Sequence, residues 1–357
     1  MTMTDTDNKK ALIAMSGGVD SSVAAYLTKS MGYDCTGCTM KLFDSPEYES
    51  TCCSLSDVED ARSVCRKLDI PYHVFNFKAE FGEKVIDRFI DFYSRGITPN
   101  PCLDCNRYLK FEKLYERAKV LGCGKIVTGH YAVIEERDGK YLLKKGMDET
   151  KDQSYVLYTL TQEQLAHTLF PLGSITKKEA REIAEQNGFL NFNKADSQDI
   201  CFVPDGDHRK FIEEYTGKKY PEGDFIGPGG DVIGKHKGII AYTIGQRKGL
   251  GVAYGEPLFV KKISPSENRV YLGRDEELYK KDADICELHM ISGEIPGSPF
   301  RCKVRIRYKH KEKDATVTPL GEGKAHIVFD EPQRAITPGQ AAVFYDDDIV
   351  LGGGVII

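Results

Sequence analysis

A chain of 357 residues, 41% of them hydrophobic, exceeds what one compact core supports and predicts two or three domains. A net charge of −5 excludes a surface coated in basic residues, although a local basic stripe would still serve a nucleic acid. No apolar run has the length of a membrane span, and the polar start MTMTDTDNKK lacks a signal-peptide core, so a cytoplasmic protein without a membrane partner is expected.

Residues 1–10 read as a frayed tail, 11–207 as one α/β unit, 208–280 as a small connecting domain and 281–357 as a β domain. From 11 to about 135, apolar runs of strand length alternate with helical periodicity. Strands are predicted at 11–15, 35–42, 72–75 and 125–128, and helices at 21–31, 57–68, 78–95 and 104–121. Such alternation predicts a doubly wound parallel sheet with ligands at the carboxyl ends of its strands. Met15-Ser16 and Thr128-Gly129-His130 fall at such ends.

The first turn, Ser16-Gly17-Gly18-Val19-Asp20-Ser21-Ser22, joins a strand to a helix. Free N–H groups at a helix start, glycines that let an anion approach, and serine hydroxyls make a phosphate site. The spacing is neither GxxxxGK[ST] nor GxGxxG. Asp20 either caps the helix or helps bind Mg²⁺. Any glycine-rich βα turn remains the plainer alternative.

Further on, Thr176 with Glu179 predicts a capping box for a helix at 177–186 that Gly188 closes. From 217, Gly and Pro become frequent, and short alternating runs at 239–243, 258–263, 269–272, 300–309, 324–329 and 341–345 predict a β-barrel or sandwich. Arg301, Lys303, Arg305, Arg307, Lys309 and Lys311 occupy every second position and would share one strand face, suited to a phosphate backbone or else paired with carboxylates.

Eleven cysteines in a reducing compartment are expected as thiols, most of them small buried hydrophobes. Cys35 and Cys38 lie in a predicted strand, on opposite faces, and read as core. Cys52-Cys53 falls in a loop. Cys102 and Cys105 follow Thr98-Pro99-Asn100-Pro101; with Asp104 as N-cap, Cys105 would sit in a first helical turn, where its thiolate is favoured. A zinc half-site is the competing reading. Cys201 on its own would be a core cysteine.

The loop SGGVDSS resembles that of the N-type ATP pyrophosphatases. Taken in order, SGGVDSSV, TPNPCLDCNRYLKF, GHYA, KDQSYVLYTL, DSQDICF, YTIGQRKGLG and TPGQ resemble the tRNA-specific 2-thiouridylase family from about residue 9 to the C-terminus. The resemblance implies a pyrophosphate-loop ATPase fold of the adenine nucleotide α-hydrolase-like kind, a connecting domain and a C-terminal β-barrel. It implies an enzyme, a sulfurtransferase that uses ATP and Mg²⁺ to adenylate O2 of the wobble uridine in tRNAs for Lys, Glu and Gln. A persulfide then delivers sulfur to C2 and AMP leaves. By the same resemblance Ala14, Met15, Ser16, Gly17, Gly18, Val19, Asp20, Ser21, Met40 and Gly129 bind ATP. Cys105 is the nucleophile and Cys201 carries the persulfide. Asn100, Pro101 and Cys102 meet the target base, and His130, Lys151, Asp152, Gln153, Arg307, Tyr308 and Gln340 meet tRNA. A cysteine desulfurase or sulfur-relay protein would supply the persulfide, and a cellular reductant would reopen a Cys105–Cys201 disulfide.

One position departs from the family pattern: Cys102 stands where many members have an aspartate proposed as a general acid/base. A thiol is a differently tuned proton carrier. Three cysteines, Cys102, Cys105 and Cys201, then offer an alternative carrier, a 4Fe–4S cluster with one open iron. Two rivals of other classes stay in view: a pyrophosphate-loop amidating synthetase, which needs no thiols, and a non-catalytic tRNA-binding or sulfur-relay protein, which releases no AMP.

Overall fold

The computed structural model describes residues 9–43, 55–195 and 200–357; Cys52, Cys53 and the Asp196–Asp199 part of DSQDICF lie outside them. Strands β1 (Lys10–Ala14), β2 (Asp34–Lys41), β3 (Tyr72–Asn76) and β4 (Lys125–Val127) form where predicted. Hairpin strands β5 (Ala132–Arg137) and β6 (Lys140–Lys145) follow, and then a two-residue strand β7 (Thr168–Leu169) too short to read from sequence. The first sheet has the order β3-β2-β1-β4-β7, and all its pairings are parallel. Side chains alternate across it. Leu12 and Cys38 enter one apolar cluster, while Ala11, Ile13 and Cys35 enter the cluster on the other face. Cys35 and Cys38 are therefore core, as expected, and burial pushes the Cys35 thiol up to about 11.

Helix α1 (Val19–Ser30) follows β1, and α2 (Leu55–Lys67) follows β2. The helix Lys177–Gln186 has the predicted capping box: Thr176 Oγ1 accepts from Glu179 N at 3.2 Å, and Glu179 Oε2 accepts from Thr176 N at 2.7 Å. Two helical stretches differ from expectation. The 78–94 stretch holds a π-turn at Gly82–Ile86. The other begins at Pro101 instead of Asp104, and winds as a π-helix through Cys105–Lys113 before ending as Leu114–Val120. Such wide turns are rare and gather at functional sites.

The connecting domain folds β8 (Gly223–Ile226), β9 (Val232–His236), β10 (Phe259–Ser264) and β11 (Arg269–Gly273) into a sheet of order β10-β11-β8-β9. The strand predicted at 239–243 is a 3₁₀ turn, Ile239–Ala241, entered through Gly238 at φ +101. Strands β12 (Tyr279–Met290), β13 (Phe300–Arg305), β14 (Lys313–Gly321), β15 (Lys324–Arg334), β16 (Ala341–Asp346) and β17 (Ile349–Ile356) run β12-β15-β14-β13-β16-β17 and close by pairing β12 with β17. A closed barrel leaves no free edge within that ring. The β5–β6 hairpin of the first domain extends this sheet, with Leu143 opposite Val350 and Lys144 opposite Ile349.

The predicted basic strand face is shorter than its six-residue pattern. β13 ends at Arg305, and His310 N donates to Arg307 O at 3.0 Å, turning the chain. Arg301 pairs with Asp330, Lys303 with Asp347 and Arg305 with Asp152, so the cations on the strand itself have carboxylate partners.

Candidate active site

β1 and β4 are neighbours, yet the chain builds outward from β1 through β2 to β3 before crossing to β4. This is the point where strand order reverses, and ligands on open α/β sheets bind there. The loops leaving β1 and β4 bring Ser16–Gly18 and Gly129 to one place. Gly129 is required for this: a Cβ there would lie 2.8 Å from the backbone of Asp20 and 2.9 Å from Ser21 N. Gly17, at φ +74, lies so close to α2 that a Cβ would come 2.5 Å from Asp57 O.

The loop's hydroxyls shape it locally. Ser16 N donates to Ser21 Oγ at 3.2 Å, and Ser21 Oγ and Ser22 Oγ donate to Gly18 O at 3.1 and 2.9 Å. Gly18 is the N-cap of α1 and no side chain caps it, so Asp20 is not the cap. Instead Asp20 receives Lys177 Nζ at 2.7 and 2.8 Å and the Tyr131 hydroxyl at 2.8 Å. Asn191 Nδ2 donates to Gly17 O and Ser22 Oγ, both at 2.9 Å, and Lys194 Nζ sits 2.7 Å from Asp57 and 2.7 Å from Asp60. Sequence reasoning missed Lys177, Asn191 and Lys194, because nothing local to them announces the loop some 160 residues earlier in the chain. Ala14 and Met15 lead into the turn, with Met15 N donating to Cys38 O at 2.7 Å, and Val19 opens α1. Met40 lies on β2 beside them, half-buried against the cluster that also borders Cys105 and Cys201.

The cysteine turn is set by Asn100, whose Oδ1 accepts from Cys102 N at 3.2 Å, followed by the buried Pro101 at the first helical position. That cap moves the helix start three residues upstream of the predicted one and puts Cys105 a turn further in. Cys102 is exposed; Cys105 and Cys201 are half-buried. Asp104 is not a cap. It faces Arg88 at 3.4 Å, and burial outweighs that cation to raise its carboxyl to about 6. The same cations reach the barrel: Arg88 and Arg107 grip Glu287 of β12 at 2.6 and 3.0 Å.

Cys105 and Cys201 border the same apolar cluster. The Gly82–Ile86 turn packs against both Pro101–Asp104 and Cys105–Lys113. On the same helical stretch, Phe81 and Phe89 meet the ring of Phe202, the neighbour of Cys201, at 5.6 and 5.1 Å.

The residues expected at tRNA divide into two groups. Gln340 Nε2 donates to Thr98 O at 3.0 Å and Pro99 O at 3.3 Å, holding the approach to the cysteine turn. Asp152 is buried and accepts from Ser154 N at 3.0 Å and Arg305 at 3.1 Å, while the Tyr308 hydroxyl donates to Asp152 O at 3.1 Å. Gln153 Oε1 accepts from Tyr131 N at 3.1 Å, Lys151 is half-exposed beside it, and half-buried Arg307 reaches Arg334 O at 3.5 Å. His130 is enclosed at 6% exposure between Phe111 and Phe170. Lys110 Nζ, which can only donate, lies 3.5 Å from its Nε2, so Nδ1 carries the proton to Thr128 Oγ1 at 2.6 Å. Burial and that lysine hold its pKa well below the usual histidine range.

Among the described residues, no three His, Cys, Asp or Glu side chains converge to hold a metal ion. Cys102, Cys105 and Cys201 are among those residues, and in this arrangement they do not form such a group. Zinc fails likewise, since Cys35 and Cys38 point to opposite faces. Mg²⁺ bound with a nucleotide asks less, one or two carboxylates plus phosphate oxygens. Asp20, at the loop, fits that need.

Family models match the chain in three consecutive blocks. A "tRNA methyl transferase HUP domain" covers 9–205, a "tRNA methyl transferase PRC-barrel domain" covers 209–274, and an "Aminomethyltransferase beta-barrel domain" covers 281–356. The chain is 52% identical to a tRNA-specific 2-thiouridylase MnmA of Clostridioides difficile (strain 630), across 98% of each chain. It is 51% identical to that of Clostridium perfringens (ATCC 13124), across 98% of each, and 50% identical to that of Acetivibrio thermocellus, across 98% of this chain and 99% of that one. A solved NMN synthetase from Francisella tularensis overlaps 60% of this chain and 79% of its own at TM-score 0.36 and 15% identity, too distant to bear on the reading.

Proposed function

The chain belongs to the tRNA-specific 2-thiouridylase family, and we propose that it is the ATP-dependent sulfurtransferase that converts C2 of the wobble uridine of tRNA to a thiocarbonyl. The observation that carries this reading is the pair of half-buried sulfurs, Cys105 and Cys201, packed against one apolar cluster in the domain that holds the phosphate loop. A methyl transfer, the chemistry in the family models' description, has no use for two thiols and a pyrophosphate loop. An amidating synthetase has no use for the thiols.

C2 of uracil is a poor electrophile and its oxygen a poor leaving group. Adenylation makes that oxygen part of AMP, and the departing pyrophosphate is stabilised by the amides and hydroxyls of Ser16–Ser21. Lys177 and Lys194 stand at the same loop as further cations. Asp20 would hold Mg²⁺ together with the nucleotide, and the ion would supply charge neutralisation there. Persulfide sulfur on Cys201 attacks C2 and AMP leaves. Cys105 thiolate then attacks the Cys201 sulfur, leaving the transferred atom on the base and a Cys105–Cys201 disulfide. Asn100, Pro101 and Cys102 form the turn beside which the base is received, and Gln340, Tyr308 and Arg307 line its barrel side. A desulfurase or relay protein recharges Cys201, tRNAs for Lys, Glu and Gln are the substrates, and a cytoplasmic setting keeps the thiols reduced.

The test is coupling. With ATP, a persulfide donor and a tRNA bearing uridine at position 34, AMP and pyrophosphate are released in step with 2-thiouridine. AMP release that ignores the tRNA, or occurs equally with cytidine at that position, overturns the reading.

A further inference from the structure

Resting on the thiolation reading, we propose that Cys102 is a resolving thiol, which takes over the Cys105–Cys201 disulfide after each turnover so that an outer Cys102–Cys105 pair meets the cellular reductant. Two CxxC spacings occur in this chain, and secondary structure gives them opposite fates. Cys35 and Cys38 are buried in a strand on opposite faces. Cys102 and Cys105 lie on a helical turn, where residues i and i+3 share a face with Cβ atoms roughly 5–6 Å apart. The turn is α-helical, and the Cys105 N–H is shared between Pro101 O and Cys102 O, which ties the two cysteine positions together through the backbone. A disulfide needs a Cβ separation of about 3.5–4.5 Å, so a small closure of this turn suffices. Asn100 and Pro101 fix where the turn begins.

Accessibility points the same way. Cys102 is exposed, while Cys105 and Cys201 are half-buried beside the Phe81, Phe89 and Phe202 cluster. A disulfide between the inner pair would sit behind the turn, out of reach of a protein-sized reductant. Exchange moves it outward without net oxidation. Cys102 thiolate attacks the Cys105 sulfur, the Cys102–Cys105 bond forms, the Cys105–Cys201 bond breaks, and its electron pair leaves on Cys201 as thiolate. Cys201 is thereby free for the next persulfide. A cellular dithiol then delivers two electrons and two protons to the outer pair and becomes a disulfide itself.

Mapping the disulfide after one turnover decides the matter. Full-length enzyme carrying one persulfide sulfur is mixed with ATP and tRNA without reductant, quenched in acid, alkylated and analysed by peptide mass spectrometry. Wild type is expected to show Cys102 linked to Cys105, with Cys201 alkylated. In Cys102→Ser the link stays between Cys105 and Cys201, and its reduction by a CxxC protein dithiol slows about tenfold while dithiothreitol is affected less. The wild-type map stands even if the variant fails to fold. Wild type trapped as Cys105–Cys201 with Cys102 alkylated overturns the resolving role and leaves thiolation intact. A productive turnover with all three cysteines alkylated overturns both the resolving role and the step that leaves a Cys105–Cys201 disulfide.

Discussion

The phosphate loop and the cysteine turn sit in the same domain but are built differently. The loop is shaped by bonds between residues three to five apart, such as Ser21 to Gly18 and Ser16 to Ser21. The cysteine turn is propped from the other end of the chain. Gln340 binds the carbonyls of Thr98 and Pro99, and at Gly339, φ +90, any Cβ would collide with Ile97 and Thr98. Glu287 of β12 holds Arg88 and Arg107 around Asp104. The phosphate loop is therefore held within the first domain, by its own hydroxyls together with Lys177, Asn191 and Lys194, whereas the cysteine turn is braced by the barrel.

Disabling either sulfur should have the largest effect. Cys105→Ser or Cys201→Ser is expected to lower thiolation by roughly a thousandfold or more, with ATP affinity little changed, as read by nucleoside mass spectrometry and ATP titration. Asp104 comes next. Its folded pKa of about 6 lies above the unfolded value of 3.8, so the native state holds the proton more tightly. The stability this gives is full below about pH 4 and is lost as pH rises through 6, a fall of roughly 3 kcal/mol. Urea midpoints of Asp104→Asn between pH 4 and 7 should lack that fall; an unchanged slope would place the carboxylate in water. Gly17→Ala forces φ +74 on alanine and drives a Cβ against Asp57 O. A strain of about 1–3 kcal/mol should weaken ATP binding by roughly tenfold or more, with the thiols' reactivity unaltered. The smallest effect is that of Gln340→Ala. Losing two hydrogen bonds to the turn should cost about 1 kcal/mol and lower kcat/KM for tRNA several-fold, with KM for ATP moving little. An equal loss in both parameters would erase the contrast between the two regions.

The same contrast explains what the sequence revealed. The loop, its strand and α1 were legible because glycine conformation, serine spacing and apolar periodicity are local signals. Thr176 and Glu179 were legible as a cap for the same reason. The pattern suggests a helix start at Asp104 because Asp104 resembles a cap, whereas Asn100 followed by proline makes one. The basic pattern from Arg301 to Lys311 reads as one strand, because periodicity carries no record of the turn at Arg307–His310 or of Asp330, Asp347 and Asp152 arriving from elsewhere. Lys177, Lys194 and Asn191 were invisible at the loop, since each reaches it across more than 130 residues. Gln340 was legible as important only through resemblance, and its place under the Thr98–Pro99 carbonyls is a matter of tertiary structure.

Isotope-labelled sulfur loaded on Cys201 tests the central claim most directly. After ATP and tRNA are added, the label should leave the Cys201 peptide and appear in the wobble uridine, one atom for each AMP released. Label that stays on Cys201 while unlabelled thiouridine forms, or that reaches tRNA without ATP, would contradict the account.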